Sequence, residues 1–273
     1  MRSFFFLILM GFFLNTSQSL QAEVVGDGDS ENGIEDNRMP LSELPTQMLR
    51  QIRSVGVIRC GPRVIGSAVI IRSDAKKALI LTAAHVVEEK NLTQCLFHPY
   101  DMYQGYTFTV AHLGRSKAQP DIFEGDWAVL HVRADLSMFG AARLSRSSRE
   151  IRRPNQALLI GYQESYNALV ASLIDCTIIP KDKEKGLARD QLSVGLDSCD
   201  SGKGASGGGV FLYDSEAGRL YLYGVRTGFL RAKNDKGDMP VKGSLADPKL
   251  YANSHHRMTK SLRQKVKFLW TLP

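Results

Sequence analysis

The stretch Cys199-Asp-Ser-Gly-Lys-Gly-Ala-Ser-Gly-Gly-Gly-Val-Phe-Leu212 sets five glycines around one serine, Ser206, inside Gly-Ala-Ser-Gly-Gly. Glycines on both sides of a serine let the backbone turn sharply, so that the hydroxyl and its neighbouring N–H groups face the same space. Nucleophilic acyl transfer needs that arrangement: an exposed Oγ, with amide donors converging on the oxyanion that develops. A glycine-rich surface loop has the same composition, so partners elsewhere in the chain must decide between the two.

The chain has 273 residues, 43% hydrophobic and 23% charged, which reads as globular. Residues 1–22 carry Arg2, an apolar run from Phe4 to Leu14 and a polar end at Ala22, the pattern of a signal peptide. That run is about half the length of a membrane span, and no later stretch is long and apolar enough to cross a bilayer. A soluble, secreted or periplasmic protein is therefore expected. Residues 23–44 hold seven acids and one base, Arg38, for a charge of −6, leaving +12 on residues 45–273. The bases are scattered, without the basic helix or aromatic-interleaved patch of nucleic-acid modules, so no nucleic-acid partner is expected. Four cysteines, Cys60, Cys95, Cys176 and Cys199, in an exported chain favour two disulfides, with three connectivities open; no CxxC zinc pair is present.

Residues 23–48 read as an acidic leader or propeptide without fixed structure. Beyond it, short apolar runs recur between turn signals: Val55–Ile58, Gly66–Ile71, Leu79–Leu81, Tyr106–Val110 and Trp127–Val132. A basic, polar connector at Ser145–Gln156 follows. The pattern then resumes at Ala157–Ile160, Ala168–Ile174, Gln191–Val194, Val210–Tyr213 and Arg219–Val225. Many short strands on either side of a connector predict an all-β chain of two domains, 49–148 and 149–273. Ser254–Trp270, after Asn253 as N-cap, reads as a C-terminal helix.

A serine hydroxyl needs an adjacent general base, itself oriented by a third group. Of six histidines, His98, His112 and His131 lie in or beside strand-like runs and read as structural or solvated. His255 and His256 fall in the basic tail and read as structural or solvated. His85 differs: it follows the apolar run in Leu-Thr-Ala-Ala-His, where small residues leave room around an imidazole at a strand end. Asp126 opens the apolar run Trp-Ala-Val-Leu, where a partly desolvated carboxylate needs a partner.

Thr-Ala-Ala-His (82–85), Asp-Trp-Ala-Val-Leu (126–130) and Gly-Ala-Ser-Gly-Gly (204–208) together resemble the trypsin/chymotrypsin-like serine peptidases. The nearest look-alikes are the bacterial trypsin-like and glutamyl-endopeptidase branch. The order His, Asp, Ser is that of chymotrypsin, and the likeness spans roughly residues 50–270. It implies two six-stranded antiparallel β-barrels with a C-terminal helix, and a monomeric serine endopeptidase acting on protein or peptide substrates without cofactor or metal. It further implies Ser206 as nucleophile, His85 as base and then acid, Asp126 as the orienting carboxylate, and the amides of Gly204 and Ser206 as oxyanion donors. The implied disulfides are Cys60–Cys95 and Cys176–Cys199.

Departures from the family pattern matter too. Where animal enzymes carry an Asp that pairs with a new N-terminus, this chain has Ala205. Either the acidic leader docks on the basic body or it is a solvated tail. Asp200, Arg226 and Gly228 are the candidate pocket residues: Asp200 stands where trypsin reads basic side chains, and Arg226 where glutamyl endopeptidases read acidic ones. The two either pair, or Arg226 faces the pocket. An α/β-hydrolase reading of Gly-Ala-Ser-Gly-Gly fails, because strand-like Gly-Gly-Gly-Val-Phe-Leu-Tyr follows the serine where that fold needs a helix. The alternative function is a peptidase-like binding protein that keeps the fold without catalysis.

Overall fold

The computed structural model describes residues 38–88, 91–100, 102–114, 125–145, 156–173, 176–179, 193–231 and 251–272. The signal segment 1–22, leader residues 23–37, connector residues 146–155, and Ile174, Gln191 and Leu192 of the expected strands lie outside them. The chain runs β1 (Arg38–Pro40), α1 (Thr46–Ile52), β2 (Val55–Cys60), β3 (Arg63–Ser73), β4 (Ala78–Thr82), α2 (Ala84–Val87), β5 (Cys95–Pro99), β6 (Thr109–Leu113) and β7 (Ala128–Val132). It continues through β8 (Ala157–Gln163), β9 (Ala168–Ser172), β10 (Val194–Asp197), β11 (Gly209–Asp214), β12 (Arg219–Arg231), β13 (Tyr251–Arg257) and α3 (Lys260–Thr271). Two antiparallel sheets result, ordered β5-β2-β3-β4-β7-β6 and β1-β9-β8-β11-β12-β13-β10.

Single bridges carry each sheet toward closure. Phe97 of β5 meets Tyr106 just ahead of β6, and residues 177–178 bridge both Gln156 and Asp197. The apolar runs are explained by strands buried on both faces. Along β8, Ala157 and Leu159 enter the interior of the second sheet, while Leu158 and Ile160 face the core between the sheets. In β4, Leu79 and Leu81 join that shared core, and Ala78 and Ile80 fill the first sheet. A period of two with both faces dry gives continuous hydrophobic sequence rather than alternation.

Four expectations need correction. The second sheet has seven strands, because β1 adds to the edge of β9, with Met39 opposite Ala171. The leader therefore takes up structure from Arg38 onward. Leu41, Leu44, Met48 and Ile52 all enter the shared core, and Gln47 and Gln51 of α1 both donate to the Gly218 carbonyl. The C-terminal helix begins at Lys260, where the Thr259 hydroxyl accepts the Leu262 N–H. Ser254–Arg257, assigned to that helix from sequence, are strand residues, and Asn253 turns its amide to the Cys199 carbonyl. The first barrel strand expected at Tyr106–Val110 lies later, at Thr109–Leu113.

Ile52 has no exposed surface, whereas Tyr103 is fully exposed. Ile52→Ala is expected to cost about 2–5 kcal/mol of unfolding free energy, by transfer and cavity together. Tyr103→Ala should stay within about 0.5 kcal/mol. Urea denaturation of both variants checks the contrast.

Candidate active site

His85 sits on α2, one turn that follows directly from buried β4, and Asp126 lies two residues ahead of β7, the neighbour of β4. The Asp126 carboxylate uses both oxygens on this turn. Oδ1 accepts the His85 backbone N–H at 3.0 Å, and Oδ2 accepts from the His85 ring Nδ1 at 2.8 Å. An ionised carboxylate only accepts, so the ring proton belongs on Nδ1 and Nε2 is left as the basic nitrogen. The Asp126 side chain is 3% exposed and that of His85 37%, so the acid is shielded while the imidazole edge reaches the surface.

The Ser206 loop is threaded between the sheets. The Ser67 N–H donates to the Ser206 carbonyl at 2.7 Å, and the Ser67 hydroxyl donates to the Gly204 carbonyl at 2.9 Å while accepting the Tyr162 N–H at 2.8 Å. Gly207 has φ +83, and a Cβ there would lie 2.1 Å from the Ser67 carbonyl oxygen and 2.2 Å from Thr82 Oγ1, so only glycine fits. Ser206 thus lies against Ser67 of β3, and Gly207 against Ser67 and against Thr82 and Ala83, the two residues leading into the His85 turn. The structure brings His85 and Asp126 into direct contact, and it holds the half-buried Ser206 by its carbonyl on Ser67 of β3. Among the described residues, no protein acceptor takes the N–H of Gly204 or Ser206.

The cysteines form Cys60–Cys95 and Cys176–Cys199, the two pairings implied by the family resemblance. The first ties β2 to β5 behind the histidine segment; the second anchors the residue preceding Asp200.

The candidate pocket residues are arranged differently from either reading of the sequence. Arg226 does not pair with Asp200. Its Nη2 donates to Asp197 Oδ1 at 2.6 Å, and both side chains are 0% exposed. Asp200 is buried, with its backbone N–H on Ser172 Oγ. Gly228 is half-buried on β12, opposite Ser254. Ser201, next to Asp200, donates to Asn253, and the Thr227 and Ser254 hydroxyls meet at 3.1 Å. Ser67 and Asn253 were missed from the sequence because nothing local marks them; both act across the fold.

His255 and His256, read as structural or solvated, are structural: both are buried. His255 is fully buried, its Nδ1 at 2.7 Å from Asp197 Oδ2. Burial opposes ionisation of Asp197, but Arg226 and His255 outweigh it and hold the carboxyl below its ordinary value. Burial outweighs Asp197 at His255 and pushes that ring down. His256 packs its ring 5.9 Å from that of Trp127, and burial pushes it down to about 4 against the pull of Asp126. Among the described residues no three of His, Cys, Asp and Glu gather as a metal site, and no helix is long and apolar enough to cross a membrane.

The fold of His256 keeps its ring neutral, while the unfolded chain binds a proton there below about pH 6.5. Stability present above that value is therefore lost as pH falls toward 4, by about 3 kcal/mol from this group alone. His255 adds in the same direction, and Asp197 adds a further loss at lower pH. Urea titrations at pH 7 and pH 4 should show the decline, and His256→Gln should make it shallower. A second expectation concerns Ser67: Ser67→Ala leaves the Tyr162 N–H and Gly204 carbonyl short of a partner, at about 1–3 kcal/mol by the same denaturation assay.

Comparison with known proteins gives the family and the fold. The model of the trypsin-like peptidase domain matches residues 66–221. No curated protein matches. Among solved structures, neuropsin, a serine protease expressed in the limbic system of mouse brain, superposes with TM-score 0.56 at 15% identity, covering 80% of this chain and 96% of its own. Rv3671c of M. tuberculosis H37Rv, a serine-to-alanine mutant in its inactive form, superposes with TM-score 0.52 at 17% identity, covering 86% and 96%. The fold is that of chymotrypsin.

Proposed function

The chain belongs to the family of trypsin-like peptidase domains, and from that premise we propose that it is an exported serine endopeptidase. The observation that carries the reading is the two-oxygen grip of Asp126 on His85, and it is supported by the Ser206 carbonyl held on Ser67 of the adjoining strand β3. His85 Nε2 takes the Ser206 proton as Oγ attacks the scissile carbonyl carbon. The resulting oxyanion accepts from the N–H groups of Gly204 and Ser206. Collapse of the tetrahedral intermediate breaks the C–N bond, and His85 returns its proton to the leaving amine. A water, deprotonated by His85, then attacks the acyl carbon and releases Ser206. Asp126 stays ionised throughout and stabilises the imidazolium.

Export is supported by the signal-like first 22 residues and by two disulfides, which persist in oxidising compartments. Substrate choice follows from Arg226. Its charge is matched by Asp197, so it does not read an acidic side chain, and no preference for Glu at the cleaved position is expected.

Fluorophosphonate labelling of the disulfide-intact protein, followed by peptide mapping, should place the adduct on Ser206. Labelling is expected to vanish in Ser206→Ala and His85→Ala, and to slow by about 10⁴ in Asp126→Asn, where the tautomer is no longer fixed. A folded protein that takes no label would be a peptidase-like binding protein instead.

A further inference from the structure

Arg226 heads the fully buried side chains by volume, and the proposed mechanism makes no use of it. Its partners link every part of the site that lies on the second sheet. Asp197, at the end of β10, accepts from Arg226 Nη2 and from the Cys199 N–H on Oδ1, and holds His255 Nδ1 on Oδ2. Through Cys199 it reaches the wall Asp200–Gly202, where the Cys199 carbonyl is in turn held by Asn253. The Arg226 backbone reaches the nucleophile loop directly: its carbonyl accepts the Gly207 N–H, and its own N–H donates to the Gly208 carbonyl, both at 2.8 Å. Through His255 the cluster reaches β13, whose Ser254 meets Thr227.

The surrounding strands are cut to admit this cluster. A Cβ on Gly195 of β10 would lie 2.3 Å from His255 Nε2, and one on Gly224 of β12 would lie 2.7 Å from His255 Cδ2. One glycine on each neighbouring strand thus makes room for a single buried ring. Ion pairs without solvent are weak sources of stability, since desolvation offsets their attraction, and their best-attested use is to fix one arrangement among several. Here the arrangement fixed is that of Gly207 and Gly208, on which the direction of Ser206 depends.

We propose that Asp197, Arg226 and His255 are positioning residues for Ser206: a buried ion pair with its histidine that locks the nucleophile loop and the adjoining polar wall into the reactive arrangement. The inference rests on the reading of Ser206 as nucleophile. None of the three touches substrate; they act through the backbones of Cys199, Gly207 and Gly208.

The test measures fluorophosphonate labelling rates and peptide-level hydrogen exchange on the full disulfide-bonded protein, comparing wild type with Arg226→Met, Asp197→Asn and Arg226→Lys. Met and Asn are each expected to slow labelling of Ser206 by about 100-fold, the size of effect seen when a reacting group loses a preorganised donor. Exchange over residues 199–209 should quicken by about tenfold, with both sheets otherwise unchanged. Arg226→Lys, which keeps a cation beside Asp197, should recover labelling to within about tenfold of wild type. Folded Met and Asn variants that label within about threefold of wild type, with exchange over 199–209 unaltered, would overturn the proposal. Exchange that rises throughout both sheets, or failure of both variants to fold, would overturn it as well, since the cluster would then serve stability alone. Wild-type protein that takes no label would instead count against the nucleophile reading, and the exchange pattern would still decide what the cluster holds in place.

Discussion

Ser67 holds the two sheets in register at the point where chemistry is proposed. Its N–H, hydroxyl and carbonyl are all engaged, with Ser206, with Gly204 and Tyr162, and with Thr82. Buried backbone groups must find partners, and here one β3 residue satisfies groups from the nucleophile loop, from β8 and from β4 together. The close approach leaves no room for a Cβ at Gly207, which explains why the glycine after the serine is obligatory on steric grounds. If this junction moved, the nucleophile-loop segment would lose its backbone anchor on β3, and on the proposed reading reacting groups displaced by an ångström lose much of their effective concentration.

The site is therefore a property of the pair of sheets. His85 and Asp126 come from the first, Ser206 and the polar wall from the second. What presses the sheets together is one apolar core shared by β3, β4, β8, β11 and β12, sealed by α3 through Leu262, Val266 and Leu269 and by the N-terminal segment through Leu41, Leu44, Met48 and Ile52. Trp127, next to Asp126, extends the contact to His256 of β13.

Most of this was legible where the signal was local. Strands buried on both faces wrote continuous apolar runs, and the segments around His85, Asp126 and Ser206 carried distinctive small and glycine residues. What escaped was nonlocal. β13 reads Tyr-Ala-Asn-Ser-His-His-Arg, and its His255 faces a buried ion pair instead of hydrocarbon, so the segment carries no apolar alternation and its Ser254–Arg257 part reads as helix. β5 is short, ends in proline and alternates weakly. β1 follows an acidic stretch and takes its place by pairing with β9 across the fold. The partner of Arg226 is not legible locally, because Asp197, 29 residues away, reaches it only once β10, β13 and β12 are side by side.

The central claim is that Ser206 is acylated with help from His85 and Asp126. The most direct measurement is to mix the protein with an activated ester, quench in acid within the first turnover, and read the mass of the peptide containing Ser206. The account predicts one acyl group on Ser206, formed in a burst and absent in His85→Ala. A folded protein that turns over the ester without ever carrying the acyl group, or that carries it elsewhere, would contradict it.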